Sequence, residues 1–130
     1  MVSLDTNVIV RLLTLDAPEQ TEAALQLIER EPVLVVLTVL LEVEWVLRDA
    51  YGISKTEINA AFGKLLETEN VTVENESAVT FALEWHAAGL DFADALHLAL
   101  SRSSESFATF DSRLRKRAAK LEGTPKVTAP

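Results

Sequence analysis

The sequence predicts an α/β fold in which a mainly parallel central sheet is flanked by helices, in three layers. Short apolar runs alternate along the chain with segments whose apolar residues have helical spacing. One of those runs, Val33 to Leu37, is continuously apolar and β-branched, which is typical of a strand buried on both faces. Hydrophobic residues make up 48% of the chain, and the mean hydropathy is +0.17. Such a surplus beside 25% charged residues favours a helix-covered sheet, an oligomer face, or both.

The length of 130 residues predicts one domain, spanning residues 1–130. There is no cysteine, which excludes disulfides and thiolate metal sites and fits a reducing compartment. No basic region precedes an apolar stretch at the N-terminus, and Asp5 comes too early for a signal peptide. The longest apolar stretch, 33–47, contains Glu42 and Glu44 and is too short and too charged to span a bilayer. We therefore expect a soluble cytoplasmic protein.

The first half of the chain is predicted to contain two strands and four helices. Val2–Leu4 is a short buried strand that Asp5 ends, and a helix follows. Pro18 begins a second helix that runs to Glu31 and stops at Pro32. The remaining elements are a strand at 33–37, a helix from Thr38 to Tyr51 that stops at Gly52, and a helix that Ser54 and Glu57 open as a capping box.

The second half continues the alternation. It is predicted to hold a strand at 71–73, a helix at 76–88 ending at Gly89, a helix from Asp91 to Ser103, a strand at 107–110, a helix from Asp111 to Leu121 ending at Gly123, and a strand at 126–128.

Acidic residues recur where strands or loops lead into helices. Asp5, the pair Asp91 and Asp94, and Asp111 all stand at such junctions. Because parallel strands end on the same rim of a sheet, repetition of this junction predicts a carboxylate cluster there. The alternative for each residue is an ordinary helix N-cap, which is also the best interpretation of Asp91.

Glu42 is predicted to be the fourth member of the cluster. It lies in a helix with almost no polar residues, where Glu44 has Arg48 as its i+4 partner but Glu42 has no such partner. An unpaired carboxylate on a buried helix is costly unless a cation meets it. The alternative is that Glu42 reaches solvent at an edge of the fold.

Four carboxylates on one rim would repel each other, and no nearby lysine neutralises them. An all-oxygen ligand set without cysteine favours Mg²⁺ or Mn²⁺ as the missing cation. Thr6, Asn7 and Thr109 are candidates for orienting carboxylates or water, although each has an equally good local role. His97 is interpreted as a packed or capping residue, and His86 as complementing a helix dipole.

The charge distribution is asymmetric. The net charge is −8, which argues against a general nucleic-acid binder, but residues 111–130 carry six basic and two acidic side chains. Arg113, Arg115 and Lys116 are therefore candidates for contacting the phosphate groups of a ligand. The alternative is a solvated helix face.

These motifs resemble the PIN-domain ribonucleases, and among them the VapC-type toxins of toxin–antitoxin pairs. The resemblance rests on Leu-Asp-Thr-Asn-Val at 4–8, the isolated Glu42, Asp-Phe-Ala-Asp-Ala-Leu-His at 91–97, and Thr-Phe-Asp at 109–111, in this order over the whole length. It implies a PIN-like fold and a Mg²⁺- or Mn²⁺-dependent endoribonuclease. It also implies a homodimer, neutralised by a small antitoxin. The catalytic acids it implies are Asp5, Glu42, Asp94 and Asp111, with the metal held by Asp5, Asp94 and Asp111.

Two other functions fit parts of the pattern. A phosphatase of the haloacid-dehalogenase type would use Asp5 as phosphoryl acceptor, but it requires a second aspartate where Asn7 stands, and no suitable lysine is apparent. A non-catalytic binding module that keeps the fold and a partner surface is the other alternative, against which the intact acidic residues argue.

Overall fold

A computed structural model describes all residues from 1 to 130. One or two helices separate each strand from the next, and every pair of hydrogen-bonded strands is parallel, which confirms the predicted fold class. None of the helices is both long and apolar enough to cross a bilayer. The elements are β1 (Val2–Ser3), α1 (Thr6–Thr14), α2 (Pro18–Arg30), β2 (Val33–Val35), α3 (Leu37–Asp49), α4 (Lys55–Glu67), β3 (Val71–Val73), α5 (Glu76–Ala87), α6 (Phe92–Leu100), β4 (Ser106–Ala108), α7 (Ser112–Ala118) and β5 (Lys126–Thr128).

The chain divides into two compact units, Met1–Glu76 and Ser77–Pro130, here called the N-terminal and C-terminal units. The strands correspondingly form two sheets, a three-stranded sheet in the order β1-β2-β3 and a two-stranded sheet of β4 and β5. In the N-terminal unit the central strand is β2, in which Val33 and Val35 are fully buried. Because β2 lies between β1 and β3, its apolar side chains are buried, and this burial stabilises the packing of the sheet against its helices.

The predicted strand at 33–37 is two residues too long, because α3 already begins at Leu37. Val36 offers no side-chain cap to this helix. Instead the carboxylate of Glu74, just past the end of β3, accepts a hydrogen bond of 2.9 Å from the Leu37 amide. Glu74, which is distant in sequence, thus satisfies a backbone N–H of the first turn that has no partner within the helix. No local sequence pattern predicts this contact. At the other end α3 stops at Asp49, before the predicted Tyr51.

Helix α4 begins with the predicted cap. The Ser54 side chain accepts a hydrogen bond from the Glu57 amide at 3.2 Å, and Ile58, Phe62 and Leu65 are buried on the inner face. We expect Ser54→Ala to lower the free energy of unfolding by about 1 kcal/mol, because the cap is lost while the buried face is untouched. Chemical denaturation would measure the change. Thr56→Ala, at an exposed position of the same turn, is the matched control and should change stability by less than about 0.5 kcal/mol.

In the C-terminal unit, helices α5, α6 and α7 accompany the pair β4 and β5. The core includes Trp85 and Phe92, and the Trp85 indole N–H donates to the Glu122 carbonyl at 3.1 Å. Pairing of β4 with β5 matches Phe107 with Val127. Strands β3 and β5 have the predicted limits, 71–73 and 126–128.

Three predicted elements of this unit are too long. Helix α6 ends at Leu100 rather than Ser103, because Ser101 and Arg102 donate to carbonyls of its last turn. Strand β4 ends at Ala108 rather than Phe110, where the Thr109 hydroxyl accepts from the Asp111 amide at 3.0 Å and turns the chain. Helix α7 ends at Ala118 rather than at Leu121.

Candidate functional site

In the N-terminal unit, Asp5 joins the end of β1 to the start of α1. Its side chain is exposed, and its carboxylate accepts a hydrogen bond of 2.6 Å from the Thr6 amide. The buried Thr6 hydroxyl donates to the Glu42 carboxylate on α3. Thr6 therefore contacts two of the four predicted catalytic acids, one through its backbone and one through its side chain.

The two glutamates of α3 lie in different environments. Glu42 is exposed, whereas Glu44 is buried with only 4% of its surface accessible. The predicted pair of Glu44 with Arg48 is confirmed, with Nε and Oε2 2.9 Å apart. The expectation of a buried, unpaired Glu42 was wrong, because Thr6, far away in sequence, supplies its hydrogen bond and solvent reaches the rest of the carboxylate.

Asn7 lies at a groove on the surface of the N-terminal unit. Its side chain is exposed and lines a groove of about 390 Å³ between α1 and α2, with Arg11 and Leu27 among the other lining residues. This groove is mostly apolar in character and holds none of the predicted catalytic acids.

In the C-terminal unit, three of the predicted acidic residues line one concavity. It has a volume of about 190 Å³ and is lined by Leu90, Asp91, Asp94, Asp111, Arg113, Leu114 and Arg117. Asp91 caps α6 by accepting from the Asp94 amide at 3.3 Å, and Asp111 caps α7 by accepting from the amides of Arg113 and Leu114. Asp91 and Asp111 are therefore helix caps, and both also line the same concavity as Asp94.

The charge state of Asp94 reflects this crowding. Partial burial is the largest cause that raises the pKa of Asp94 above its ordinary value of 3.8, and the like charge of Asp91 is the next. The charge of His97 acts in the opposite direction, and that of Asp111 adds a smaller increase. Desolvation and the repulsion by neighbouring carboxylates therefore disfavour the ionised form of Asp94. A nearby cation would stabilise that form.

We expect Asp91→Asn to lower the pKa of Asp94, because asparagine keeps the helix cap but removes the negative charge. A raised folded-state pKa means that stability falls as pH increases from 3.8 through that pKa, so the variant should lose less stability over this window. Carboxyl-carbon NMR titration with a chelator present would measure the shift. An unchanged or higher pKa for Asp94 would contradict the assignment of Asp91 as its main charged neighbour.

The predicted RNA-contacting residues of α7 have three different environments. Arg113 lines the concavity, and Lys116 is exposed. Arg115 is partly buried, and its guanidinium donates to the Thr109 carbonyl at 2.7 Å, so it stabilises the loop that leads into the helix. Sequence reasoning missed Arg117, which lines the concavity and donates to the Gly89 carbonyl at 3.0 Å. Its i+4 spacing from Arg113 was the available signal.

The histidines differ in burial. His97 is exposed in the last turn of α6, which excludes a packed role but leaves the capping role that was the other expectation. His86 is buried and lies edge-on to the Phe92 ring, with centroids 5.4 Å apart. Its role is therefore core packing in addition to any effect on the end of α5.

The carboxylate oxygens of the C-terminal concavity are the donors that a hard divalent cation prefers. In neither unit do three or more Asp, Glu or His side chains converge closely enough to form a complete metal-ligand set. Mg²⁺ keeps several of its waters and is usually bound through only one or two carboxylates, so a complete cage is not required. The raised pKa of Asp94 and the all-oxygen donors fit such an ion.

Comparison with protein families matches residues 2–120 to the PIN domain. Searches of curated proteins and of solved structures found no match. The family match covers most of the chain and includes all four predicted catalytic acids. PIN domains are generally metal-dependent nucleases. This chain therefore belongs to the PIN domain family.

Proposed function

We propose that this protein is a Mg²⁺- or Mn²⁺-dependent endoribonuclease, and the toxin of a VapBC-type toxin–antitoxin pair. The observation that carries the proposal is the concavity of the C-terminal unit, where Asp94 and Asp111 share the lining with Arg113 and Arg117. Carboxylates that can hold a divalent cation and guanidinium groups that can bind phosphate oxygens are both suited to metal-assisted hydrolysis of a phosphodiester.

In this mechanism Asp5, Asp94 and Asp111 would hold the metal, and all four acids, including Glu42, would be required for the same reaction. The bound metal would polarise a phosphoryl oxygen and lower the pKa of a water. Glu42 would orient the attacking water, take its proton, or help to hold a second metal. Thr6 is a positioning residue, since its hydroxyl holds Glu42 and its amide holds Asp5.

The cationic residues bind the substrate. The backbone amide of Arg113 donates to the Asp111 cap. The side chain of Arg113 lines the concavity and is available to bind a phosphate there. Lys116 extends the positive charge along α7, where it contacts a flanking phosphate. Thr109 holds the amide of Asp111 and so fixes the start of α7.

The proposed partners follow from the toxin role. They are a second copy of this chain, which forms a homodimer with it, and a small antitoxin protein. The proposed location is the cytoplasm. The 390 Å³ groove between α1 and α2 is an apolar surface with Arg11 at its edge, and it supports the idea that this protein has a protein partner. Inspection of the gene immediately upstream would identify the antitoxin.

The test is cleavage of total RNA by the purified protein, titrated with Mg²⁺ and Mn²⁺. We expect cleavage that needs the metal and stops when EDTA is added, and sequencing of the product ends would identify the target. If pure protein with either metal cuts no RNA yet binds the product of the neighbouring gene, a non-catalytic binding module is the correct function instead.

A further inference from the structure

Phe110 stands out among the apolar side chains on the surface. Its exposed fraction is 87%, the highest of any large hydrophobic residue; the others are Met1 at 74%, Leu15 at 59%, Trp45 at 53%, Leu100 at 45% and Tyr51 at 37%. An isolated exposed apolar residue needs no explanation by itself. The position of this one is what matters, because it directly precedes Asp111.

The backbone on both sides of Phe110 is fixed. The Thr109 amide donates to the Thr128 carbonyl at 2.9 Å, which ties this segment to the end of β5. The Asp111 amide donates to the Thr109 hydroxyl, and the Asp111 carboxylate caps α7. The Arg115 guanidinium also holds the Thr109 carbonyl. The ring is therefore presented to solvent from a rigid turn rather than from a loose loop.

The neighbours of Phe110 along the chain are suited to a nucleotide. Asp111 and Arg113 line the concavity that we assign to phosphodiester chemistry, and Phe110 lies within three residues of both. A flat aromatic ring stacks on any unpaired base, because every base has a π-face. A cation within reach of the same nucleotide binds its phosphate.

We propose that Phe110 is a base-stacking residue, and that together with Arg113 it forms a subsite for one unpaired nucleotide of the substrate. This inference rests on the proposed function, and it assigns to Phe110 the role of holding one unpaired base of the RNA. In a duplex the bases are already stacked on each other and offer no free face to the ring.

The test compares binding of a short single-stranded RNA and of the same sequence as a duplex, by fluorescence anisotropy in EDTA, where the proposed cleavage does not proceed. Phe110→Ala should weaken binding of the single strand by about 5- to 150-fold and leave duplex binding unchanged. Phe110→Trp should keep the affinity, and Phe110→Leu, which is apolar but not flat, should lose most of it. Leu100→Ala, at another exposed apolar position, is the control.

Equal single-strand binding by Phe110→Ala and the wild-type protein would overturn the inference, while RNA cleavage would still support the proposed function. A change in oligomeric state in Phe110→Ala, with RNA binding unaltered, would also overturn it, since the ring would then belong to a protein interface. With Mg²⁺ present, the loss should appear in KM on single-stranded substrate rather than in kcat. Absence of any RNA cleavage with intact Phe110-dependent binding would instead contradict the proposed function alone.

Discussion

Replacing Asp94 by asparagine is expected to reduce RNA cleavage by about a hundredfold or more, without unfolding the protein. The carboxylate lines the concavity of the C-terminal unit, and its negative charge is what a divalent cation would bind. A carboxamide of the same size supplies one neutral oxygen and no charge. Steady-state cleavage of a defined RNA in a Mg²⁺ buffer would measure the loss in kcat/KM.

The structure indicates why folding should survive this change. The Asp94 side chain is not the cap of α6; that role belongs to Asp91, which accepts from the Asp94 amide. Removal of the Asp94 charge also relieves its repulsion by Asp91 and Asp111. The control is Glu105→Gln, which neutralises an exposed acid outside the concavity and should leave cleavage unchanged. Normal cleavage by well-folded Asp94→Asn would remove Asp94 from the mechanism.

The largest expected loss of stability comes from Phe92→Ala. Phe92 is fully buried at the first position of α6, where its ring meets His86 edge-on. Truncation removes the buried ring and leaves a cavity, so we expect the free energy of unfolding to fall by about 3–5 kcal/mol. The melting temperature should fall by roughly 10 °C or more. Calorimetry and urea denaturation would measure both quantities.

A matched comparison within the same chain separates burial from residue type. Phe110→Ala removes an identical side chain from a position that is 87% exposed, and it should change stability by less than about 0.5 kcal/mol. Phe92→Leu, which keeps an apolar side chain of comparable length, should cost less than the alanine variant. If the two alanine variants were equally stable, the assignment of Phe92 to the core would be incorrect.

Local patterns predicted the fold class and most elements because their signals are contained in short stretches of sequence. Ser54 caps α4 through the amide of Glu57, three residues away, and Pro18 begins α2 as its position suggests. Strand β3 was predicted with its exact limits, since β-branched residues stand between a helix end and a turn. The pair of Glu44 and Arg48 was predictable for the same reason, being one helical turn apart.

Features that depend on partners distant in sequence were not predictable. The start of α3 depends on Glu74, and the environment of Glu42 depends on Thr6, which lies 36 residues away. The prediction of Glu42 as an unpaired carboxylate on a buried helix gave that residue the wrong exposure, because Glu42 is exposed. Aspartates that recur at helix starts predicted a carboxylate cluster that includes Asp91, Asp94 and Asp111. The position of Arg117 beside them depends on the fold and was not predicted.

The proposed metal site is tested most directly by titrating the protein with Mn²⁺ and measuring the free ion by electron paramagnetic resonance. We expect the wild-type protein to bind Mn²⁺, Asp5→Asn and Asp94→Asn each to weaken binding by about tenfold or more, and Glu105→Gln to bind like the wild type. Undiminished Mn²⁺ binding by a folded protein that carries both Asp5→Asn and Asp94→Asn would contradict the proposed metal site.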